Sequence, residues 1–162
     1  MLELILLIGL QASGKSTFRR ERLDATHVVV SKDLMRNNRR PARRQRELIE
    51  RALSEGRSVV VDNTNPRLEE RAELVALGRQ YGARVTGYFF PCSVQASIAR
   101  NNLRVGREHV PRVGIFATAK AMRVPTHDEG FDILYRVTRH DEGAVVLEVV
   151  GETSAGDNRE ER

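Results

Sequence analysis

Apolar residues fall along this chain in two alternating rhythms. Leu2–Ile8, His27–Val30, Ser58–Val61 and Val85–Phe90 are short runs rich in Val, Leu, Ile and Phe, and they predict strands. Three of them are almost continuously apolar, as parallel strands covered on both faces require. Between them, Lys15–Asp24, Arg43–Glu55 and Pro66–Tyr81 place apolar residues at helical spacing. In the second helix Leu48, Ile49, Ala52 and Leu53 form one stripe, Arg44, Glu47, Glu50 and Arg51 face water, and Gly56 supplies the stop. The third starts at Asn65-Pro66, with Asn65 read as N-cap, Pro66 at the first helical position and Glu69 as capping partner. Its buried stripe is expected to be Leu68, Ala72, Val75 and Ala76.

Two further helices are expected at Val94–Leu103 and Arg112–Met122, joined by a polar loop, Arg104–Val110, that contains Gly106. Phe131–Val137 predicts a strand, and the turn His140-Asp141-Glu142-Gly143 leads into Ala144–Val150, so a C-terminal β-hairpin is expected. Residues 151–162 are polar and charged and are expected to be a disordered tail, which leaves one domain over residues 1–150. The βαβα order implies an α/β sandwich around a mainly parallel sheet.

Composition narrows the class. The 162 residues are 40% hydrophobic and 30% charged, the balance of a soluble globular chain. No apolar run is long enough to cross a bilayer. Leu2–Ile8 has the length of a signal-peptide core but lacks a basic leader, and is read as a buried strand. A single cysteine, Cys92, excludes an intrachain disulfide, and a cytoplasmic setting is expected. The formal charge is +5, and 24 of the 27 basic residues are Arg, a balance that favours polyanionic partners.

The candidate chemistry begins at the end of the first strand. Gly9-Leu10-Gln11-Ala12-Ser13-Gly14-Lys15-Ser16 fits the phosphate-binding loop pattern G-x-x-x-x-G-K-[ST], with Thr17 next to it. Glycines permit the turns, and successive N–H groups at the helix N-terminus face one anion. Lys15 can reach the β- and γ-phosphates, and the Ser16 hydroxyl can ligate Mg²⁺. The expected ligands are therefore ATP and Mg²⁺.

The destination of the γ-phosphate is read from the other strand ends, which line the ligand crevice of an open α/β sheet. Ser31-Lys32-Asp33 puts a carboxylate there, suited to take the proton of an attacking hydroxyl or, alternatively, to cap a helix. Arg36 can hold an anionic acceptor. After the third strand, Asp62 occupies a Walker-B-like place and can support Mg²⁺ through water, while Asn63 and Thr64 offer hydrogen bonds at the crevice. Arg104 and Arg107 lie where a lid would clamp phosphates, or are solvated surface arginines. Arg100 is either a lid anchor or a salt-bridge partner. The cluster Arg39, Arg40, Arg43, Arg44 and Arg46 either guides a polynucleotide or is a solvated helix start. His27, His109, His127 and His140 show no metal-ligand spacing.

Ser31-Lys32-Asp33 with Arg36, then Val61-Asp62-Asn63-Thr64-Asn65-Pro66, then Arg100-Asn101 with Arg104 and Val110-Pro111, and finally Glu129-Gly130-Phe131-Asp132 together resemble the 5′-hydroxyl polynucleotide kinase family. The likeness covers about residues 2–137. It implies a three-layer P-loop kinase sandwich with a helical lid, an ATP-dependent transfer to the 5′-hydroxyl end of DNA or RNA, and a polynucleotide as partner. It also implies Lys15, Asp33 and Arg104 as catalytic residues, with Asp33 as general base. Gly9–Thr17, Arg104 and Arg107 would hold ATP, Ser16 would hold the metal, and Arg36, Asp62 and Thr64 would hold the acceptor. The phosphatase and ligase modules that often accompany such kinases find no room in this chain, and no obligate protein partner is evident. A P-loop kinase of a small-molecule hydroxyl fits the loop and Asp33 equally well. A nucleotide-dependent switch protein would need neither Asp33–Arg36 nor a lid.

Overall fold

A computed structural model describes residues 1–151. The elements follow as β1 (Glu3–Gly9), α1 (Lys15–Arg22), β2 (Val28–Val30), α2 (Pro41–Ser54), β3 (Val59–Asp62), α3 (Leu68–Gln80), β4 (Arg84–Phe90), α4 (Val94–Asn101), α5 (Arg112–Ala121), β5 (Ile133–Arg139) and β6 (Val145–Val149). Short 3₁₀ turns cover Lys32–Met35, Gly106–Glu108 and His127–Glu129.

The strands form one sheet in the order β2-β3-β1-β4-β5-β6. The first five are parallel, and β6 returns antiparallel along β5, so the expected terminal hairpin is present. Strand β1 lies between β3 and β4, where the chain's path across the sheet reverses, and this is where an open α/β sheet forms its ligand crevice. The continuous apolar run of β1 is explained by burial on both faces. Leu4, Leu6 and Ile8 pack with Ile49 and Leu53 of α2 and Leu74, Val75 and Leu77 of α3, whereas Ile5 and Leu7 pack with Phe18 of α1, Phe90 and Val137. The result is the expected three-layer α/β sandwich.

The sequence-predicted strands and helices are present with ends shifted by at most two residues. The exception in substance is α3. It starts at Leu68 rather than Pro66, its N-cap is Arg67, and no side chain caps it. Asn65 is not the cap. It sits buried at φ +46°, its side-chain amide donating to the Leu7 carbonyl at 2.7 Å. The buried stripe is also rotated from the expected one. Leu68, Ala72 and Ala76 are exposed, and Arg71, Leu74, Val75, Leu77 and Gly78 face inward. A buried cation, Arg71, displaced the pattern. Its guanidinium meets both oxygens of Glu129, at 2.7 and 3.3 Å, and also donates to the Asn65 and Pro66 carbonyls. Beside it, Asp132 accepts from the Val85 N–H at 2.7 Å and locks the start of β5 to β4. The tail expected at 151–162 lies outside the described residues apart from Gly151. Among the described residues no helix is long and apolar enough to cross a membrane.

Candidate active site

The phosphate loop leaves β1 at Gly9, beneath the C-terminal edge of the sheet. The backbone here admits no side chain: a Cβ at Gly9 would lie 2.9 Å from both the Phe90 carbonyl oxygen and Ser13 Oγ. Gly14, at φ +100°, turns the chain into α1 and directs that helix's free N–H groups at the loop's centre. Three contacts fix the loop from outside. The Gly9 N–H donates to the Thr64 carbonyl at 3.0 Å, Ser97 Oγ of α4 donates to the Gln11 carbonyl at 2.6 Å, and Gln11 Nε2 donates to Thr118 Oγ1 of α5 at 2.8 Å. The Gln11 side chain is thus committed to holding the loop against α5. Arg100 anchors the lid side, with Nη1 donating to the Ala12 carbonyl at 3.4 Å.

Lys15 is folded back over the loop. Its Nζ donates to the Gly9 and Leu10 carbonyls at 2.8 and 2.6 Å. Burial lowers its pKa to about 8; Asp62 and Asp33 oppose that shift, and Arg104 adds to it. A phosphate pulls the other way, because it favours the charged amine. ATP binding above pH 8 should therefore take up a proton, with affinity falling as pH climbs past 8. Calorimetry in buffers of different ionisation enthalpy measures that uptake. The stability sign follows from the same shift. Between pH 8 and the unfolded value of 10.5 the unfolded chain holds a proton that the folded chain has lost, so Lys15 makes stability rise with pH in that window.

Ser16, the expected metal residue, donates from Oγ to Asp62 Oδ2 at 3.0 Å. Asp62 is buried and also accepts from Arg19 Nη1 at 3.0 Å on the same oxygen. Its carboxylate therefore faces the phosphate loop, which suits the metal-side role weighed for it better than an acceptor contact. Arg19 was not singled out from the sequence, although its place three residues after Ser16 sets both on one helical face. Hard oxygens from Ser16 and Asp62 suit Mg²⁺. Thr17 is exposed, one residue further round the helix.

The side of the cleft where the acceptor is expected is built on the 3₁₀ turn after β2. Ser31, not Asp33, is the N-cap: Ser31 Oγ accepts from the Asp33 N–H at 3.3 Å, which leaves the Asp33 carboxylate exposed in the cleft and outside any cap. The turn is held from below. Asn63 Oδ1 accepts from the Lys32 N–H at 2.9 Å, and Asn63 Nδ2 donates to the buried Gln45 of α2 at 2.6 Å. Gln45 was also missed, being a polar residue inside an apolar stripe. Arg36 reaches across to the lid, where its Nη2 donates to the Arg107 carbonyl at 2.9 Å.

The loop expected to act as a lid is closed at its neck by Asn101, a buried side chain that donates to the Val110 carbonyl at 2.6 Å and accepts from the Val110 N–H at 2.9 Å. Arg104, half-buried, donates to the Glu108 carbonyl, and Arg107 is exposed. One cleft of about 1940 Å³ runs from Lys15 and Ser16 past Asp62 and Thr64 to Asp33 and Arg36, with Arg100, Arg104 and Arg107 on its rim. That exceeds the roughly 300–1,000 Å³ typical of a single small-molecule site, and leaves room for donor and acceptor side by side. In the arginine cluster, Arg43 and Arg46 are engaged by Glu47 and Glu50 one turn on, as in a solvated helix start, while Arg44 lines the cleft. His27 bridges Thr26 and Glu3 and is structural.

The profile of the AAA domain family matches residues 4–124. A bifunctional polynucleotide phosphatase/kinase from Schizosaccharomyces pombe is 24% identical over 133 residues, 80% of this chain; the chain spans 32% of that relative's length. Among solved structures, the AvrRxo1-ORF1:ORF2 complex with ATP superposes with a TM-score of 0.68 at 15% identity, covering 91% of this chain and 57% of that one. A sugar kinase from Janibacter sp. superposes with a TM-score of 0.64 at 15% identity, covering 84% and 86%.

Proposed function

The chain belongs to the AAA domain family, and from that premise we propose that it is an ATP-dependent kinase that phosphorylates the 5′-hydroxyl end of DNA or RNA. The observation that carries this reading is the shared cleft: Asp33 and Arg36 line the same depression as the phosphate loop. The partial identity with a polynucleotide phosphatase/kinase supports the acceptor class.

In this mechanism the loop N–H groups and Lys15 hold the β- and γ-phosphates, and Arg104 moves against the γ-phosphate as the lid closes and excludes water. Lys15 leaves the Gly9 and Leu10 carbonyls to do so. Arg36 exchanges the Arg107 carbonyl for a phosphate of the acceptor strand, a charge-assisted contact of greater strength. Asp33 orients the terminal hydroxyl in line with the bond that breaks and receives its proton late in the transfer. Ser16 and Asp62 would hold Mg²⁺, which supplies neutralisation of the charge that develops on the phosphate oxygens.

The test is transfer of labelled γ-phosphate to 5′-hydroxyl oligonucleotides, with 5′-phosphorylated oligonucleotides as the blank and sugars and nucleosides in parallel. Oligonucleotide labelling is expected. Affinity for the strand should fall steeply with added salt as phosphate counterions are displaced. A second reading, transfer to a small-molecule hydroxyl, is favoured by one observation: Arg43 and Arg46 spend their charge on Glu47 and Glu50 rather than presenting it free. Labelling of a sugar or nucleoside alone, with no response to salt, would establish that reading instead.

A further inference from the structure

Asp62 is the acidic group facing the phosphate loop, and it already has a cation. Arg19 Nη1 lies 3.0 Å from Asp62 Oδ2, the same oxygen to which Ser16 donates. The arginine is held rather than free to drift. Its side chain is 17% exposed, and its Nε lies 3.0 Å from Asp24 Oδ1, though without hydrogen-bond alignment. Among the described residues, no cluster of three or more His, Cys, Asp or Glu side chains is placed to share a metal. The Arg19 guanidinium therefore stands between the buried Asp62 on the Ser16 side and the more exposed Asp24 on the other.

We propose that Arg19 is a built-in counter-charge of the metal subsite, and that it sets how strongly nucleotide binding depends on Mg²⁺. Two effects follow from its position. Without metal, Asp62 would repel the triphosphate, and the guanidinium cancels that repulsion, so ATP binds moderately even when no divalent cation is present. With metal, the same positive charge opposes the incoming cation and competes for the oxygen that would support its hydration shell, so Mg²⁺ adds less affinity than an unpaired carboxylate would allow. Arg19 acts through Asp62 and is thus a positioning and tuning residue. The proposal concerns donor binding alone and is independent of which hydroxyl accepts the phosphate.

The experiment is ATP binding by calorimetry, with Mg²⁺ and with a chelator, in the native chain and in Arg19→Met, Arg19→Gln and Arg19→Lys. The quantity read is the ratio of the two affinities. It should rise roughly tenfold or more in Arg19→Met and Arg19→Gln, because metal-free binding weakens while Mg²⁺ binding holds or tightens. It should return close to the native value in Arg19→Lys, which keeps the charge. Asp24→Asn removes the outer carboxylate, which water screens, and leaves the guanidinium on Asp62, so the ratio should stay within about twofold. If Arg19→Met does not fold, Arg19→Gln, which retains an amide donor, carries the comparison. A ratio unchanged in the folded neutral variant, or one raised equally in Arg19→Lys, overturns the proposal and leaves Arg19 a structural contact of α1.

Discussion

Replacing Asp33 with alanine is expected to lower phosphoryl transfer by about 10²–10⁴-fold, the usual worth of a positioned general base, while leaving ATP affinity nearly unchanged. Its surroundings make this a clean experiment. Asp33 is exposed, and the cap of its 3₁₀ turn belongs to Ser31, so removing the carboxylate deletes no hydrogen bond on which the fold relies. Asparagine should fail almost as badly as alanine, since an amide can orient a hydroxyl but cannot accept its proton. Single-turnover assays with saturating ATP separate this loss from slower product release. Turnover within tenfold of native in either variant would remove Asp33 from the chemistry and send the search to another group in the cleft.

The largest stability effect is expected far from that carboxylate. Glu129→Ala should destabilise the domain by about 3–5 kcal/mol, because it leaves the Arg71 guanidinium buried with no opposing charge. Arg71 has no exposed surface, and Glu129 contacts it through both oxygens. The carbonyls of Asn65 and Pro66 would still accept from Arg71, but neutral dipoles replace a carboxylate poorly. Urea denaturation monitored by far-ultraviolet circular dichroism measures the loss. The paired variant Arg71→Met with Glu129→Leu should recover most of it, since no charge is then left in the interior. Failure of the pair to recover would mean that the hydrogen bonds it also removes, from Arg71 to the Asn65 and Pro66 carbonyls and from the Thr126 N–H to Glu129, outweigh the charge.

These two sites were not equally legible in the sequence. Asp33 follows a strand of valines, and the rule that strand ends line the crevice was enough to place it. The phosphate loop was legible for a similar reason: its chemistry lies in eight consecutive residues. Helix α3 was misread because an arginine at position 71 looks like surface, and only the distant Glu129 makes it core. Asn65 before Pro66 looked like a helix start, whereas its side chain crosses to Leu7 on β1 and its backbone turns left-handed. Arg19 and Gln45 went unnoticed for the same cause. Each takes its meaning from a partner, Asp62 or Asn63, that only the tertiary fold brings near.

Asn101 gives the rim of the cleft a property of its own. By gripping the N–H and the carbonyl of Val110 together, it cinches the loop at its base. Changing the length of a flexible loop alters its closure entropy slowly, by about 0.6 kcal/mol for each doubling. Insertions within residues 102–109 that keep Arg104 and Arg107 at the cleft should therefore be tolerated by the scaffold. This short stretch is accordingly where substrate preference can diversify over evolutionary time, or be re-engineered, while the sandwich beneath stays as it is.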